Sequence, residues 1–277
     1  MRDIKEKIRQ LLLGCVPPLV TQLLRSKLPP KGVHWSGDYG SWEEARRASK
    51  GYDDGLILER IKTAALKVKQ GEAAAERDGV LFDEVQYAWP VLAGLMWIAA
   101  QSRGELNLLD FGGSLGTSYF HARSFLQALS QVRWSIVEQK PFVEVGKKYF
   151  EDHELRFYDD LETCVQEQSP KAILISSVLS YLENPYELLD KVISCNFEFI
   201  ILDRTPFLLE GRRDRLTVQV VPPEIYPSSY PSWFFNKDKF YNYFQDKYDL
   251  LAKFESIGRA NISAIFEGSI LRRKSVS

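Results

Sequence analysis

No apolar run in these 277 residues approaches the ~20 that a membrane-spanning helix needs. The N-terminus also lacks the small-residue cleavage site that closes a signal peptide. The expectation is a protein neither secreted nor integral to a membrane. Cysteine is scarce: Cys15, Cys164 and Cys195 are far apart and odd in number, which argues against a disulfide framework or a zinc knuckle and fits a reducing, cytoplasmic setting. His34, His121 and His153 are scattered, so no metal motif is visible and no metal is expected. His121, on a helix after a glycine turn, reads as a packed or solvated histidine rather than a base. A surplus of one charge sign is missing as well. With a formal net charge of −1, the chain carries no basic footprint for nucleic acid. Internal repeats and low-complexity segments are absent.

What is present is the composition of a globular domain, 45% hydrophobic, in a chain long enough to bury a substantial core. One local imbalance stands out. Arg2, Lys5, Lys7, Arg9, Arg25, Lys27 and Lys31 face only Asp3 and Glu6, and Ile4, Ile8, Leu11, Leu12 and Cys15 recur at helical spacing before Pro17 and Pro18. Such a basic amphipathic helix suits peripheral contact of residues 1–30 with an anionic membrane, or docks its apolar stripe on the protein's own body. Both readings stay open.

Downstream, Ser41 with Glu44 forms a capping-box pattern that opens a helix through Arg47. Helical periods follow over 56–69 and 82–100, so residues 1–103 are expected to make a mainly helical N-terminal cap. After Gly104 short apolar runs alternate with helical stretches, the signature of βαβ units. Strands are expected at 106–111, 134–137, 156–158, 172–176, 197–202, 250–255 and 264–271, the last two as an antiparallel pair. The expected fold is α/β: a doubly wound, mostly parallel seven-stranded sheet spanning 104–277. The segment 207–246, with Pro222, Pro223, Pro227 and Pro231 among many aromatics, is too long for an ordinary loop and reads as a lid inserted after the fifth strand.

The chemistry concentrates at strand ends. In residues 106–116 an apolar strand runs into Asp110, Phe111, Gly112, Gly113, Ser114, Leu115 and Gly116, a turn whose glycines admit close approach of a nucleotide-like ligand at a helix N-terminus. No register supplies Gly-x-Gly-x-x-Gly, which disfavours a dinucleotide. Asp110 repels a phosphate but attracts the cationic S-adenosylmethionine. Glu138, roughly 20 residues past the last glycine, ends the second strand where a carboxylate accepts both ribose hydroxyl protons. Asp159 ends the third strand as a candidate partner for an adenine amino group. Ser177 and Tyr181 follow the fourth strand as candidate walls of the methyl end, with Tyr181 also a candidate catalytic group. Asp203 ends the fifth strand, a candidate base or a local hydrogen-bond anchor, and Arg204 either binds an anionic substrate group or pairs with Asp203. Tyr52, Arg77, Glu84 and Tyr87 are candidates to close over the cofactor, Tyr52 first. Tyr226, Tyr230, Trp233 and Phe234 of the lid suit stacking on a sugar face, or cover the sheet's edge.

Together these strand ends resemble the class I S-adenosylmethionine-dependent methyltransferases, whose Rossmann-like fold and cofactor the resemblance implies over about residues 106–273. This chain has Ser114 where that pattern has glycine. Over nearly its whole length, through Gly51-Tyr52-Asp53, Glu76-Arg77-Asp78, Asp203-Arg204-Thr205-Pro206 and Tyr230-Pro231-Ser232-Trp233, it also resembles a poorly characterised methyltransferase family associated with bacterial surface-polysaccharide synthesis. That resemblance implies a small-molecule or glycan acceptor methylated at oxygen. The rival readings are a non-catalytic cofactor-binding or scaffold protein of a polysaccharide assembly complex, and a nucleotide-sugar oxidoreductase, which Asp110 opposes.

Overall fold

The computed structural model describes residues 32–51, 54–222 and 228–275. The basic N-terminal stretch, Tyr52 and Tyr226 lie outside the described residues. The described chain begins with β1 (His34–Tyr39), α1 (Trp42–Ala48), α2 (Asp54–Gln70), the hairpin β2 (Ala75–Arg77) and β3 (Val80–Phe82), and α3 (Trp89–Gln101). Strands and helices then alternate: β4 (Glu105–Phe111), α4 (Thr117–Leu126), β5 (Gln131–Val137), α5 (Lys140–Tyr149), β6 (Leu155–Tyr158), α6 (Leu161–Gln168), β7 (Ala172–Ser176), α7 (Pro185–Ser194) and β8 (Phe199–Leu208). The last elements are β9 (Arg215–Val221), β10 (Ser228–Phe234), α8 (Lys237–Asn242), β11 (Tyr248–Glu255) and β12 (Ala264–Arg273). No helix among the described residues is long and apolar enough to cross a membrane.

Seven strands form one sheet in the order β11-β12-β8-β7-β4-β5-β6. The pairs from β6 across to β8 are parallel, and β12 runs antiparallel to both β8 and β11. This is the doubly wound, mostly parallel sheet that the periodicity calls for. Side-chain alternation explains why both faces are covered: Leu108, Trp134, Ile136, Leu174 and Ile201 point into a core with α2 to α5. Their neighbours Leu109, Val137, Ile173, Ile175 and Ile200 point into a second core with α6 to α8. The chain steps from β4 outward through β5 and β6, then returns to the other side for β7. A topological switch point therefore lies between the carboxyl ends of β4 and β7, where such sheets bind ligands.

The N-terminal part is less helical than its periodicity suggests. α1 forms as expected: the Ser41 hydroxyl accepts from the Glu44 N–H at 3.3 Å, and the Glu44 carboxylate accepts from the Gly40 N–H at 3.0 Å. The helix expected over 82–100 starts only at Trp89, because Pro90 lacks an N–H and fits a helix only in its first turn. β1, unforeseen, joins β9 and β10 in a separate antiparallel sheet of order β1-β9-β10. The segment 207–246 is thus built of strands rather than loop, and its sheet is completed by a strand from the start of the chain. β10 tolerates Pro231 because it is an edge strand, where a missing donor breaks no ladder.

β8 also runs further than 197–202. Opposite Gly268 of β12 it carries two residues, Asp203 and Arg204, between the pairs Leu202–Ser269 and Thr205–Glu267. That bulge bends the strand at the rim of the sheet and re-aims both side chains.

Candidate active site

A cavity of about 1130 Å³ opens over the switch point. Its floor is the β4 turn and the ends of β7 and β8; its walls come from α3, α4, β2, Tyr181 in the short turn after β7, and the β1-β9-β10 sheet. The turn is held by its own backbone. The Gly112 N–H donates to the Val137 carbonyl at 2.9 Å and the Gly116 N–H to the Gly113 carbonyl at 3.0 Å. Gly112 has φ +71°, and a Cβ there would stand 2.4 Å from the Val178 Cγ2. At Gly113 a Cβ would stand 2.7 Å from the Asp110 carboxylate, so that glycine lets the turn lie directly on the acid. Ser114, in the position where the resembling class has glycine, adopts the left-handed φ of 54°. The path is therefore the glycine-like one, at a cost of about 1 kcal/mol for the side chain. Ser114→Gly relieves that cost but adds unfolded-state freedom, so a net gain below about 1 kcal/mol is expected in urea unfolding. A net loss would mean that the Ser114 side chain holds the turn.

Two carboxylates flank the turn. Asp110 is fully buried and accepts from the Trp134 indole N–H at 3.1 Å. Burial pushes its carboxyl up to about 7, against the indole hydrogen bond that lowers it. Glu138, half-buried at the end of β5, accepts from the backbone N–H of Gln139 at 2.6 Å and from that of Ser114. Burial raises it above the ordinary carboxylate range despite those two donors.

At the ends of β7 and β8 sits a second polar cluster. Both oxygens of buried Asp203 are engaged: Ser176 Oγ donates at 2.7 Å to one, Ser256 Oγ at 2.7 Å to the other, and Arg204 Nε lies 3.4 Å away. Arg204 Nε and Nη2 also donate to Ser176 Oγ at 3.3 and 3.1 Å. The Ser177 N–H donates to the Asp203 carbonyl at 3.0 Å. Ser177 and Arg204 both have positive φ, 60° and 53°, so two strained residues meet at one spot on the rim.

The remaining walls come from outside the large sheet. Tyr181 Oη donates to Gln219 Oε1 at 3.0 Å, and Gln219 Nε2 donates to Tyr230 Oη at 3.0 Å, with the two tyrosine rings edge-on at 5.5 Å. From the hairpin, buried Glu76 accepts from the Thr117 hydroxyl and from the Gly79 N–H at 3.2 Å, while burial raises its carboxyl. His121 Nε2 sits 3.1 Å from the Glu76 carbonyl, which only accepts, so Nε2 carries the proton. Burial first, then the nearby Arg77 and Arg204, hold the imidazole below its ordinary value and hence neutral at pH 7.

The cavity thus brings together Asp110, Gly112, Gly113, Glu138, Ser177, Tyr181, Asp203, Arg204 and Tyr230 from the residues singled out in the sequence. Gly116 caps α4 just behind the turn with φ 99°. Others go elsewhere. Trp233 is not among the lining residues: its indole N–H donates to the Leu182 carbonyl at 3.1 Å and its ring stacks on Trp42, clasping the small sheet to the body. Phe234 is fully buried in the core instead of on the cavity wall. Asp159 is exposed ahead of α6 and lines a different surface depression, not the cavity. Arg77 and Tyr87 line it and Glu84 does not. Sequence reasoning missed Gln219, Ser176, Ser256 and Trp134. Each is a polar or aromatic residue on a strand or, for Ser256, just past the end of one, and no spacing marks it.

No family model matches the chain. No curated protein matches it either. Among solved structures it is similar to the N-terminal domain of EvdMO1 crystallised in the presence of SAH and D-fucose, at 14% identity over 81% of this chain and 98% of that one, TM-score 0.47. It is also similar to magnesium protoporphyrin IX methyltransferase (ChlM) from Synechocystis PCC 6803 with bound SAH, at 13% identity over 78% and 99%, TM-score 0.45. A third is the CcbJ methyltransferase from Streptomyces caelestis, at 11% identity over 67% and 90%, TM-score 0.44.

Proposed function

We propose that this chain transfers a methyl group from S-adenosylmethionine to an oxygen of a small or glycan-type acceptor. The observation that carries the reading is the pair of carboxylates, Asp110 and Glu138, on either side of a glycine turn in which the Gly112, Ser114 and Gly116 N–H groups are already engaged. A pyrophosphate needs free turn N–H groups and no adjacent anion; a sulfonium needs the reverse. The residues therefore fit the cationic cofactor. Glu138 would hold the ribose hydroxyls, the Gly112–Gly113 backbone would pass beneath the methionine portion, and Asp110 would set a negative potential under it.

S-adenosylmethionine, when bound, supplies an electrophilic methyl on a sulfonium leaving group. The protein then has chiefly to align the acceptor and exclude water. Tyr181, Gln219 and Tyr230 form a polar aromatic wall suited to a sugar face. Asp203 serves this alignment as an anchor: with both oxygens occupied, it holds Ser176, Ser256 and Arg204 in place. The glycan part of the reading, and a place in surface-polysaccharide synthesis, rest on the sequence resemblance. The occupied state of Asp203 also favours a second reading, a non-catalytic cofactor-binding protein.

Calorimetry with S-adenosylhomocysteine, S-adenosylmethionine and NAD tests the cofactor. Binding of the first two without NAD is expected, and NAD binding with no response to the others overturns the reading. Appearance of a methylated product by mass spectrometry separates the enzyme from the scaffold.

A further inference from the structure

We propose that Arg77 and Arg204 form an anion subsite opposite the cofactor turn, so that the acceptor is a molecule bearing a carboxylate or phosphate. This deepens the methyltransferase reading and rests on it. Both arginines line the cavity, one from the β2 hairpin and one from the β8 bulge. Burial first and then the Arg204 charge lower Arg77, and both arginines act on His121, which lines the same cavity.

Arg204 is oriented by its left-handed backbone and by the Ser176 hydroxyl, which takes its Nε and Nη2; its Nη1 has no hydrogen-bond partner among the described residues. Arg77, half-buried, has neither an ion pair nor a hydrogen bond from its guanidinium among the described residues. Like charges gathered in a partly desolvated space repel each other, and an anion between them reverses the sign of that interaction.

Asp78, Asp203 and Glu76 act on Arg77 as well, but none of them forms an ion pair with it among the described residues. Asp203 is saturated by two serines and the Arg204 Nε edge. Glu76 is turned to Thr117 and Gly79, Asp78 and Glu255 are exposed at the rim, and Asp110 and Glu138 belong to the turn. Two planar guanidinium groups lining one cavity, Arg204 with an open edge, suit bidentate contact with a carboxylate or phosphate. The Tyr181–Gln219–Tyr230 wall beside it then meets the neutral part of the same molecule.

The test uses glucuronate and glucose, which differ by one carboxylate, titrated by saturation-transfer NMR into the full chain saturated with S-adenosylhomocysteine. Saturation keeps the cofactor's own carboxylate out of the comparison. Glucuronate is expected to bind and glucose to bind at least about tenfold more weakly. Arg77→Gln and Arg204→Gln are each expected to weaken glucuronate about tenfold while leaving S-adenosylhomocysteine affinity within about twofold, with Arg77→Lys intermediate. Equal binding of the two sugars, no detectable glucuronate binding, or unaffected variants overturns the proposal. So does displacement of S-adenosylhomocysteine by glucuronate together with its loss in the arginine variants, which would assign the pair to the cofactor carboxylate. Failure of the wild type to bind S-adenosylhomocysteine overturns the methyltransferase reading instead, and the glucuronate–glucose comparison on the unliganded chain still decides the anion subsite. Arg77→Gln keeps the test sound if Arg204→Gln, whose side chain is tied to Ser176, fails to fold.

Discussion

Glu138→Ala lowers S-adenosylhomocysteine affinity by about 100-fold in calorimetry, since hydrogen bonds from two hydroxyls to one carboxylate contribute about 3 kcal/mol together. The geometry makes this loss local. The Glu138 carboxylate is oriented by the N–H groups of Gln139 and Ser114, and the turn itself is tied independently through Gly112 to Val137 and through Gly116 to Gly113. The variant should therefore melt close to the wild type while losing ligand. Glu138→Gln keeps the volume and one acceptor, but its amide NH₂ must face either the backbone donors or the ligand, and an intermediate loss is expected. Protonation imitates the mutation. Because burial holds this carboxyl above the ordinary range, wild-type affinity should begin to fall at a higher pH than a free glutamate would dictate, and the alanine variant should lack that dependence. An alanine variant that binds as tightly as the wild type removes Glu138 from the cofactor site.

Asp110→Asn should separate stability from cofactor charge. The carboxyl titrates near 7 in the folded chain against 3.8 ordinarily, so between those values the folded state holds a proton that the unfolded state has released. Stability from this group therefore falls as pH rises from about 4 to about 7, and the penalty is complete above that window. Asparagine retains an acceptor for the Trp134 indole and cannot ionise. The variant is expected to melt several degrees above the wild type at pH 8 and level with it near pH 4, read by calorimetric scans. The cofactor effect runs the other way. At pH 8 the variant should lose more affinity for the cationic S-adenosylmethionine than for the uncharged-sulfur S-adenosylhomocysteine, because both carry the ammonium group but only the former adds a sulfonium charge that the buried carboxylate attracts. A lower melting temperature at pH 8 would show that the ionised acid is stabilised by more than Trp134.

Asp110 and Glu138 both stand out in the sequence, and the reason is that each closes an apolar strand. A mostly apolar strand such as 106–109 is buried on both faces and reads as a strand from hydropathy; a carboxylate closing it, as Asp110 does, is visible because it breaks the pattern. Residues at the sheet's ligand rim are thus the legible ones. Asp159 obeyed the same rule and went elsewhere, because being at a strand end fixes the rim but not the position along it. Trp233 and Phe234 failed for another reason: an aromatic in a proline-rich stretch is equally suited to a ligand wall or a core, and here one clasps Leu182 and the other is buried.

The small sheet marks the limit of local pattern. β9 buries Thr217 and Gln219 as well as valines, β10 carries a proline, and β1 contains Gly37 and Asp38, so none of them shows the hydropathy of a buried strand. Each exists because the others pair with it across long sequence separations, and such pairing contributes nothing to local periodicity.

For this protein, then, the order of residues alone settled the seven-stranded sheet, the glycine turn and the two flanking carboxylates, since strand hydropathy and turn chemistry act over a few residues. Three-dimensional packing settled which residues face one another over the turn. It brought Arg77 of the N-terminal hairpin and Arg204 of the bulge to one cavity, closed Tyr181 through Gln219 onto Tyr230, and occupied both oxygens of Asp203. Those contacts join segments far apart in the chain, and their geometry depends on a bulge and on strand pairings that no short stretch of sequence encodes.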